Sequence, residues 1–261
     1  NKPQTTRNRI TGIYTKGEDQ FVFLDTPGIH KPRTALGDYM VKTANGSIGE
    51  ADAILLVIEP VPSVGEIEAG IIEKIRASKT PAILVVNKVD EHTPADIAAT
   101  IAAYAAAYDF DAVVPISAKS GKGVDALFEE ASKFLYESVW YFPEDAVTDQ
   151  PERQIAAEII REKLLRTLNK EIPHGTAVVI EEFKEEKNII RIRAEIFCEK
   201  ASHKGIIVGK NGAALKLVGT YAREDLEKFL GTKVYLNLWV KVKENWRESA
   251  ATVGNFGYRD E

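Results

Sequence analysis

Short runs of apolar residues recur through the first half of the chain, separated by longer amphipathic stretches. Each run is mostly continuous and does not alternate between apolar and polar residues, as a strand with one solvent-exposed face would. Continuous apolar runs are typical of parallel strands that are covered on both faces. The runs occupy positions 21–24, 53–58, 82–86 and 113–116. Apolar residues at helical spacing predict helices over 67–77, 94–108 and 124–139. This alternation predicts a doubly wound α/β sheet, whose ligands bind at the carboxyl ends of the strands.

The pattern changes after a turn-rich segment at 142–151, which we interpret as a linker. Beyond it, the predicted strands alternate between apolar and polar residues. The expected elements are a helix over 152–170, strands over 176–183 and 188–198, helices over 203–208 and 213–229, and a strand over 233–242. The order α-β-β-α-α-β predicts a separate α+β domain. We therefore expect two domains, residues 1–148 and residues 149–261.

Composition and charge support this division and exclude several classes of protein. The chain has 261 residues, 44% of them apolar and 28% charged, which excludes a disordered or collagen-like chain. The net charge of −5 is uneven, since residues 1–150 carry −8 and residues 151–261 carry +3. Only the second half therefore suits a nucleic-acid surface. The sequence has no apolar run of about 18 residues, the length that would predict a membrane-spanning helix. The lone Cys198 indicates a reducing compartment.

Three polar segments follow three of the predicted strands in a fixed order. Any one of them alone is better explained as a strand-to-turn cap, but three at successive strand ends leave that alternative little room. The segments are Asp25, Thr26, Pro27 and Gly28; Asn87, Lys88, Val89 and Asp90; and Ser117, Ala118 and Lys119. Together they resemble the translation-factor-like GTPases. That resemblance implies a P-loop-NTPase-like sheet that binds GTP or GDP with Mg2+.

The residue types in the last two segments suit a guanine base. The carboxylate of Asp90 can accept two hydrogen bonds from the ring N–H and exocyclic amine of guanine, a pair that adenine lacks. Asn87 would serve the remaining edge of the base and tie the two loops together, while the aliphatic stem of Lys88 would cover a face of the ring. The backbone N–H of Ala118 would donate to the guanine carbonyl oxygen.

The first segment suits the phosphate end of a nucleotide. Asp25 is expected to hold Mg2+ through a water molecule, and the N–H of Gly28 to reach the γ-phosphate, where a side chain would obstruct close approach. Residues 4–7, Gln-Thr-Thr-Arg, resemble the first switch of this class. One of Thr5 and Thr6 would ligate Mg2+ in the GTP state, and the sequence does not say which. The alternative is a frayed terminus.

Two departures from the class change the expected mechanism. Ile29 stands where many GTPases place a glutamine that orients water, so we expect slow hydrolysis or another catalytic group. No G-x-x-x-x-G-K-[ST] phosphate loop occurs in the 261 residues, because the segment from Gly65 to Gly70 has the glycine spacing but lacks the lysine. We expect the first strand, phosphate loop and first helix of this domain to precede Asn1, so that the sheet is N-terminally truncated.

The second half contains a glycine-flanked turn between two predicted helices. Its residues are Ile206, Ile207, Val208, Gly209, Lys210, Asn211 and Gly212. The glycines would let a nucleic-acid backbone approach closely, Lys210 would supply charge, and the next helix would direct its positive end at a phosphate. By itself the turn is as readily a helix–helix connection, but its place inside α-β-β-α-α-β resembles a type II KH domain. Four basic residues could contact phosphates or form a solvated face: Arg191, Arg193, Lys204 and Lys216.

A GTPase domain followed by a KH domain resembles the Era family over essentially the whole chain, most clearly at residues 2–9, 25–30 and 205–212. The resemblance implies a GTP-hydrolysing switch that binds the 3′ region of small-subunit ribosomal RNA and assists assembly of that subunit. It also implies a cytoplasmic protein with peripheral association at the inner membrane surface, and we expect a monomer. Two alternatives stay open: an RNA-binding KH fragment whose G domain no longer binds or hydrolyses nucleotide, and a GTPase whose C-terminal domain binds protein.

Overall fold

A hairpin and a helix open the fold. The computed structural model describes residues 6–29, 31–168 and 172–259. Strands β1 (Ile10–Lys16) and β2 (Asp19–Asp25) pair antiparallel through a turn at Gly17, and α1 (Ala35–Ile48) follows. The apolar pattern predicts β2, but as a parallel strand covered on both faces; this is wrong, because β2 pairs antiparallel with β1 and its Val22 is exposed. The pattern misses β1, whose apolar residues are interrupted by threonines and a glycine, and α1, whose glycines and asparagine weaken helix propensity.

Three parallel strands form the centre of the first half. The elements in chain order are β3 (Ile54–Ile58), α2 (Glu66–Ser78), β4 (Ala82–Val86), α3 (Pro94–Ala107), β5 (Ala112–Pro115) and α4 (Val124–Ser132). All five residues of β4 are buried, because α2 and α3 cover one face of the sheet and α4 covers the other. These elements confirm the predicted parallel α/β arrangement.

Helix α4 ends at Ser132, so the predicted helix over 124–139 is too long. The chain turns there, with the N–H of Leu135 donating to the carbonyl of Ser132. It then crosses to the hairpin, where the side chain of Gln20 accepts hydrogen bonds from the backbone N–H groups of Tyr141 and Phe142. In the described part of the chain no ladder joins β2 to β3, and a cavity of about 1150 Å³ lies between them.

The second half has the predicted order of elements with one short helix added at its end. They are α5 (Glu152–Thr167), β6 (Ala177–Glu186), β7 (Ile189–Cys198), α6 (Ala201–Val208), α7 (Ala213–Leu230), β8 (Lys233–Val242) and α8 (Ala250–Asn255). The sheet order is β6-β7-β8, with β6 antiparallel and β8 parallel to β7. Alternate residues of β7 enter a core formed with α5, α6 and α7. Cys198 is buried in that core, as a small apolar side chain would be.

A smaller apolar cluster joins the two halves. Leu36 and Met40 of α1 pack against Ala177 of β6, together with Trp246 and Tyr258 from the C-terminal segment. The turn-rich segment also has fixed contacts: the N–H of Ile13 donates to the carbonyl of Val147, and the Thr148 hydroxyl donates to the carbonyl of Thr11. The halves therefore meet through a packed interface. None of the described helices combines the length and apolar character needed to cross a membrane.

Candidate nucleotide site and nucleic-acid interface

The loops after β4 and β5 are held together by one amide side chain. The Oδ1 atom of Asn87 accepts hydrogen bonds from the backbone N–H of Lys88 at 2.8 Å and from that of Ala118 at 3.0 Å. A backbone hydrogen bond of 3.1 Å from Val89 to Ile116 adds a second tie. Two of the three polar segments therefore form one surface, as their positions at adjacent strand ends indicate.

Lys88 is positioned by a residue that the sequence motifs do not include. Its Nζ forms a short ion pair with the Glu59 carboxylate, and its backbone adopts a left-handed φ of +67°. Glu59 directly follows β3, so it also lies at a carboxyl strand end, but a single acidic residue in that position is too common for the sequence to single it out. Lys119 differs, because its side chain is 80% exposed and lies 3.9 Å from Glu91. Glu59 thus holds the Lys88 stem in place.

Asp90 presents an ionised, accessible carboxylate. A hydrogen bond from the Ser117 side chain lowers the pKa of the Asp90 carboxyl below its usual range. Ser117 is itself fully buried, and its backbone N–H donates to the carbonyl of Lys122 in the turn that closes the loop. That turn requires glycine at Gly123, where φ is +78° and a Cβ would lie 2.4 Å from the Pro115 carbonyl oxygen. An exposed carboxylate can therefore accept the paired N–H groups of a guanine.

At the carboxyl end of β2, the Thr6 hydroxyl donates a 2.9 Å hydrogen bond to Asp25 Oδ2. Desolvation raises the pKa of the Asp25 carboxyl although the residue is exposed, and hydrogen bonds from Thr6 and from the Thr26 backbone oppose that rise. A hydroxyl and a carboxylate are hard oxygen donors, and Mg2+ typically takes only one or two protein ligands beside water and phosphate. Thr6 and Asp25 fit that pattern, while Thr5 lies outside the described residues. No larger group of acidic, His or Cys side chains suited to a metal occurs in the described chain.

The other members of the first segment differ in their surroundings. Pro27 is buried, while Thr26 and Ile29 are partly exposed. A Cβ built on Gly28 would meet no described atom within 4 Å, so packing within the protein does not demand glycine there. The apolar side chain of Ile29 cannot exchange a proton with water.

Arg7, the residue after Thr6, is completely buried in the interface between the two halves. Its guanidinium donates to the backbone carbonyls of Thr176 at 2.6 Å and His174 at 2.7 Å, and to the Tyr258 hydroxyl at 3.3 Å. It also lies 5.8 Å from the ring centroids of Trp246 and Tyr258. The switch-like segment is therefore anchored in the second half, a connection that no local pattern reveals.

The glycine-flanked turn joins α6 to α7. Gly209 ends α6 with φ of +72°, and its Cβ would lie 2.8 Å from that of Ala214, so only glycine fits. Lys210 and Asn211 are exposed, and Gly212 starts α7 with φ of +77°. The N-terminus of α7 therefore opens beside two exposed polar residues, an arrangement suited to a phosphate.

The apolar residues before the turn separate into two roles. Ile206 is 51% exposed and Val208 is partly buried, so both can border a groove. Ile207 is fully buried in the core, so its expected contact with RNA is corrected to support of the turn from beneath. Arg191 and Arg193 alternate with core residues of β7 and therefore lie on the sheet face opposite the helices. Lys204 and Lys216 lie outside the core, on the helical side.

Comparison with known proteins gives two family matches and relatives that match over nearly the whole of this chain. A family described as "50S ribosome-binding GTPase" matches residues 1–88, and a KH-domain family matches residues 171–247. GTPase Era of Clostridium kluyveri is 49% identical over 259 residues, covering 99% of this chain and 88% of the relative. GTPase Era of Clostridioides difficile is 50% identical over 262 residues, with the same coverage.

Two solved structures are similar over nearly the whole chain. A point variant of Aquifex aeolicus Era bound to GDP·AlF4− has a TM-score of 0.93 and 38% identity. Era in complex with MgGDPNP and nucleotides 1506–1542 of 16S ribosomal RNA has a TM-score of 0.94 and 39% identity. Each match covers 99% of this chain and 89% of the other.

Proposed function

The chain belongs to the Era GTPase family, and from that premise we propose that it is a GTP-binding, GTP-hydrolysing switch. Its RNA target is the 3′ region of small-subunit ribosomal RNA, and its role is to assist assembly of the small ribosomal subunit. The observation that carries the proposal is the adjacency of Thr6 and Arg7. Thr6 contacts Asp25 at the phosphate end, and Arg7 is locked into the half that contains the KH turn.

Guanine recognition is assigned to the loops after β4 and β5. Asp90 accepts the two N–H groups of the base, and Ala118 donates its backbone N–H to the base carbonyl. Asn87 holds the two loops at a fixed distance from each other, because its Oδ1 accepts hydrogen bonds from the backbone N–H groups of both. Lys88 covers a face of the base while Glu59 fixes its ammonium end. Ser117 orients Asp90, and Lys119 lies at the rim.

The phosphate end is assigned to Thr6, Asp25, Thr26, Pro27 and Gly28. Thr6 and Asp25 would hold Mg2+, which when bound supplies positive charge against the phosphate oxygens. The Gly28 N–H is expected to turn towards the γ-phosphate. The side chain of Ile29 has no polar group that could orient the attacking water. Slow intrinsic hydrolysis is therefore expected unless another group orients that water.

Coupling between the two functions follows from chain connectivity. Any displacement of Thr6 would pull on its hydrogen bond to Asp25, and the next residue, Arg7, is fixed by two carbonyls of the second half. Because Thr6 and Arg7 are consecutive, Thr6 cannot shift far without altering the interface around Trp246. Nucleotide state is therefore proposed to alter how the KH turn is presented to RNA. The RNA contacts are assigned to Ile206, Val208, Gly209, Lys210, Asn211 and Gly212.

Domain limits, assembly state and location complete the proposal. We place the boundary between residues 148 and 149, in the turn-rich segment beside β1. A cytoplasmic monomer, with peripheral contact at the inner membrane surface, is what the family resemblance implies.

The competing hypothesis is an RNA-binding chain whose G domain does not bind nucleotide. The comparisons do not favour it, since the relatives that match over 99% of the chain are named GTPase Era, and the chain spans 88% of the length of its C. kluyveri relative. Titration of the polypeptide with a fluorescent GDP analogue, with and without Mg2+, separates the two. Tight, Mg2+-dependent binding supports the switch, whereas retained RNA binding without nucleotide binding supports the competitor.

A further inference from the structure

The β6–β7–β8 sheet leaves most of one face uncovered. Helices α5, α6 and α7 pack on the inner face. On the outer face, Phe197 is covered by Phe256 of the C-terminal segment, with ring centroids 4.4 Å apart. Tyr235 and Trp239 of β8 lie beyond that cover and are 52% and 58% exposed. They project from the same face, about 13 Å apart for four residues of strand. Two aromatic side chains are thus presented to solvent without a core-packing role.

The groups between these aromatic side chains are polar or cationic. The strand register places Arg191 opposite Tyr235 and Arg193 opposite Asn237. The Arg191 guanidinium lies 5.2 Å from the centroid of the Tyr235 ring. Within the described residues, Arg193 and Asn237 make no side-chain hydrogen bond or ion pair. The centre of the face therefore offers donors that are free to meet a ligand.

The outer face carries a small excess of positive charge. Its outward positions on the three strands carry five basic and three acidic side chains: Lys184, Arg191, Arg193, Lys233 and Lys241 against Glu182, Glu186 and Glu195. Four of the basic side chains lie within 4 Å of a carboxylate, so among the described residues Arg193 is the cation of this face that stays open to a phosphate. Exposed aromatic rings beside guanidinium groups are the combination with which proteins hold single-stranded nucleic acid, by stacking bases and pairing phosphates. A protein interface would instead place its apolar groups at the centre and its charges at the rim.

The face is continuous with the KH turn through the edge strand β8. Both α6 and α7 pack against β8 on the inner side. Leu236 and Leu238 of β8 are partly exposed there, and Leu238 lies 3.5 Å from the Cβ position of Gly219 in α7. A nucleic-acid strand leaving the turn at Gly209–Gly212 would therefore need only to cross this edge to reach Tyr235 and Trp239.

We infer that the outer face centred on Tyr235, Arg193 and Trp239 is a second contact surface for single-stranded RNA, continuous with the strand held at the KH turn. The inference rests on the proposed RNA-binding function and extends it by several nucleotides. A KH turn clamps about four nucleotides. The outer face should therefore matter only for RNA longer than that.

The test compares a short RNA of about five nucleotides with the same RNA extended by about six at either end, since a KH turn clamps about four. The variants are the double substitution Tyr235→Ala with Trp239→Ala, and separately Arg193→Glu, whose side chain has no partner among the described residues. Loss of both stacking rings should weaken binding of the extended RNA by about tenfold or more in the double variant. Arg193→Glu places a negative charge against the RNA backbone and should weaken the same binding by about tenfold. Affinity for the short RNA should be unchanged. Tyr141→Ala, at a 65% exposed tyrosine of the first half, is the control.

The outcomes distinguish failure of this inference from failure of the proposed RNA-binding function on which it rests. If unmodified protein binds neither RNA, the proposed function and this inference both fail. If it binds the extended RNA and every variant binds it equally well, the inference alone is overturned. Should the variants instead abolish self-association with RNA affinity unchanged, the face pairs two copies and the inference is wrong.

Discussion

The guanidinium of Arg7 donates a 2.6 Å hydrogen bond to the backbone carbonyl of Thr176, 169 residues away in the sequence. Arg7 directly follows Thr6, whose hydroxyl contacts Asp25 at the end of β2. One short stretch of backbone thus connects the predicted phosphate end with the KH half. Burial lowers the pKa of the Arg7 guanidinium, and the carbonyls, Tyr258 and the aromatic rings compensate the buried charge.

Replacement of Arg7 by alanine should destabilise the protein and weaken the coupling between nucleotide state and RNA binding. The change removes the Arg7 hydrogen bonds to the carbonyls of Thr176 and His174 and opens a cavity, for an expected loss of about 2–4 kcal/mol in the free energy of unfolding. Urea denaturation measures this loss. Arg9→Ala is the matched control, because Arg9 pairs with Glu50 at the exposed surface and should cost less than about 1 kcal/mol. Equal losses for the two variants would contradict the role of Arg7.

Replacement of Asp25 by asparagine should raise thermal stability at neutral pH in the absence of Mg2+. Desolvation raises the folded pKa of Asp25, so its favourable contribution is complete only at low pH and is lost as pH rises through that pKa. Because Asp25 lies at the exposed end of β2, solvent screening keeps this effect small. The difference in Tm between variant and parent should therefore vanish below about pH 3, where the carboxyl is protonated in both states. Nucleotide binding should lose its Mg2+ dependence. Asp109→Asn, outside the sites described above, serves as control; a Tm difference that is the same at every pH would argue against the assignment.

Replacement of Asp90 by asparagine should shift base preference from guanine to xanthine. Loss of one charge-assisted hydrogen bond, worth about 1.5–3 kcal/mol, predicts a fall in GTP affinity of about 10- to 100-fold with a gain for the xanthine nucleotide. Competition titrations with both nucleotides measure the shift. Asp96→Asn is the control, since that carboxylate caps α3 with Thr93 and should affect stability only. An unchanged preference for guanine would refute the role of Asp90.

Charge reversal at the KH turn should remove RNA binding and spare the fold. The structure argues against replacing Gly209, because a Cβ there would clash with Ala214. Lys210→Asp combined with Asn211→Asp keeps both glycines and places negative charge where a phosphate should lie, for a loss in RNA affinity of about tenfold or more. Lys228→Asp, near the other end of α7, is the control. If the double variant binds RNA as tightly as the control, the C-terminal domain binds another kind of partner.

The sequence predicts the buried strands and the order of motifs well, because those depend on local pattern. The bounds of β4 and β8 agree with the expected ranges, and the loops of Asn87 and Ala118 meet because adjacent strand ends must meet. The pattern misses helix α1 although Leu36, Met40 and Ala44 have helical spacing, since Gly37 and Gly46 obscure it.

Contacts between distant segments account for what could not be predicted. In the sequence, Arg7 is noticed only as part of a switch-like segment. The neighbouring residues do not predict its hydrogen bonds to Thr176 and Tyr258. Glu59 does not stand out in the sequence, because a single acidic residue after a strand is common. The burial of Ile207 depends on which side of α6 faces the sheet, which the tertiary packing decides.

Control of RNA binding by nucleotide state is the central claim, and a fluorescence anisotropy titration tests it most directly. Labelled RNA from the 3′ region of small-subunit ribosomal RNA is titrated with protein saturated with Mg2+ and either GDP or a non-hydrolysable GTP analogue. We expect tighter binding with the GTP analogue by about fivefold or more, the usual range of coupling between two sites, and a much smaller difference in Arg7→Ala. Equal RNA affinity in the two nucleotide states of the unmodified protein would contradict the claim.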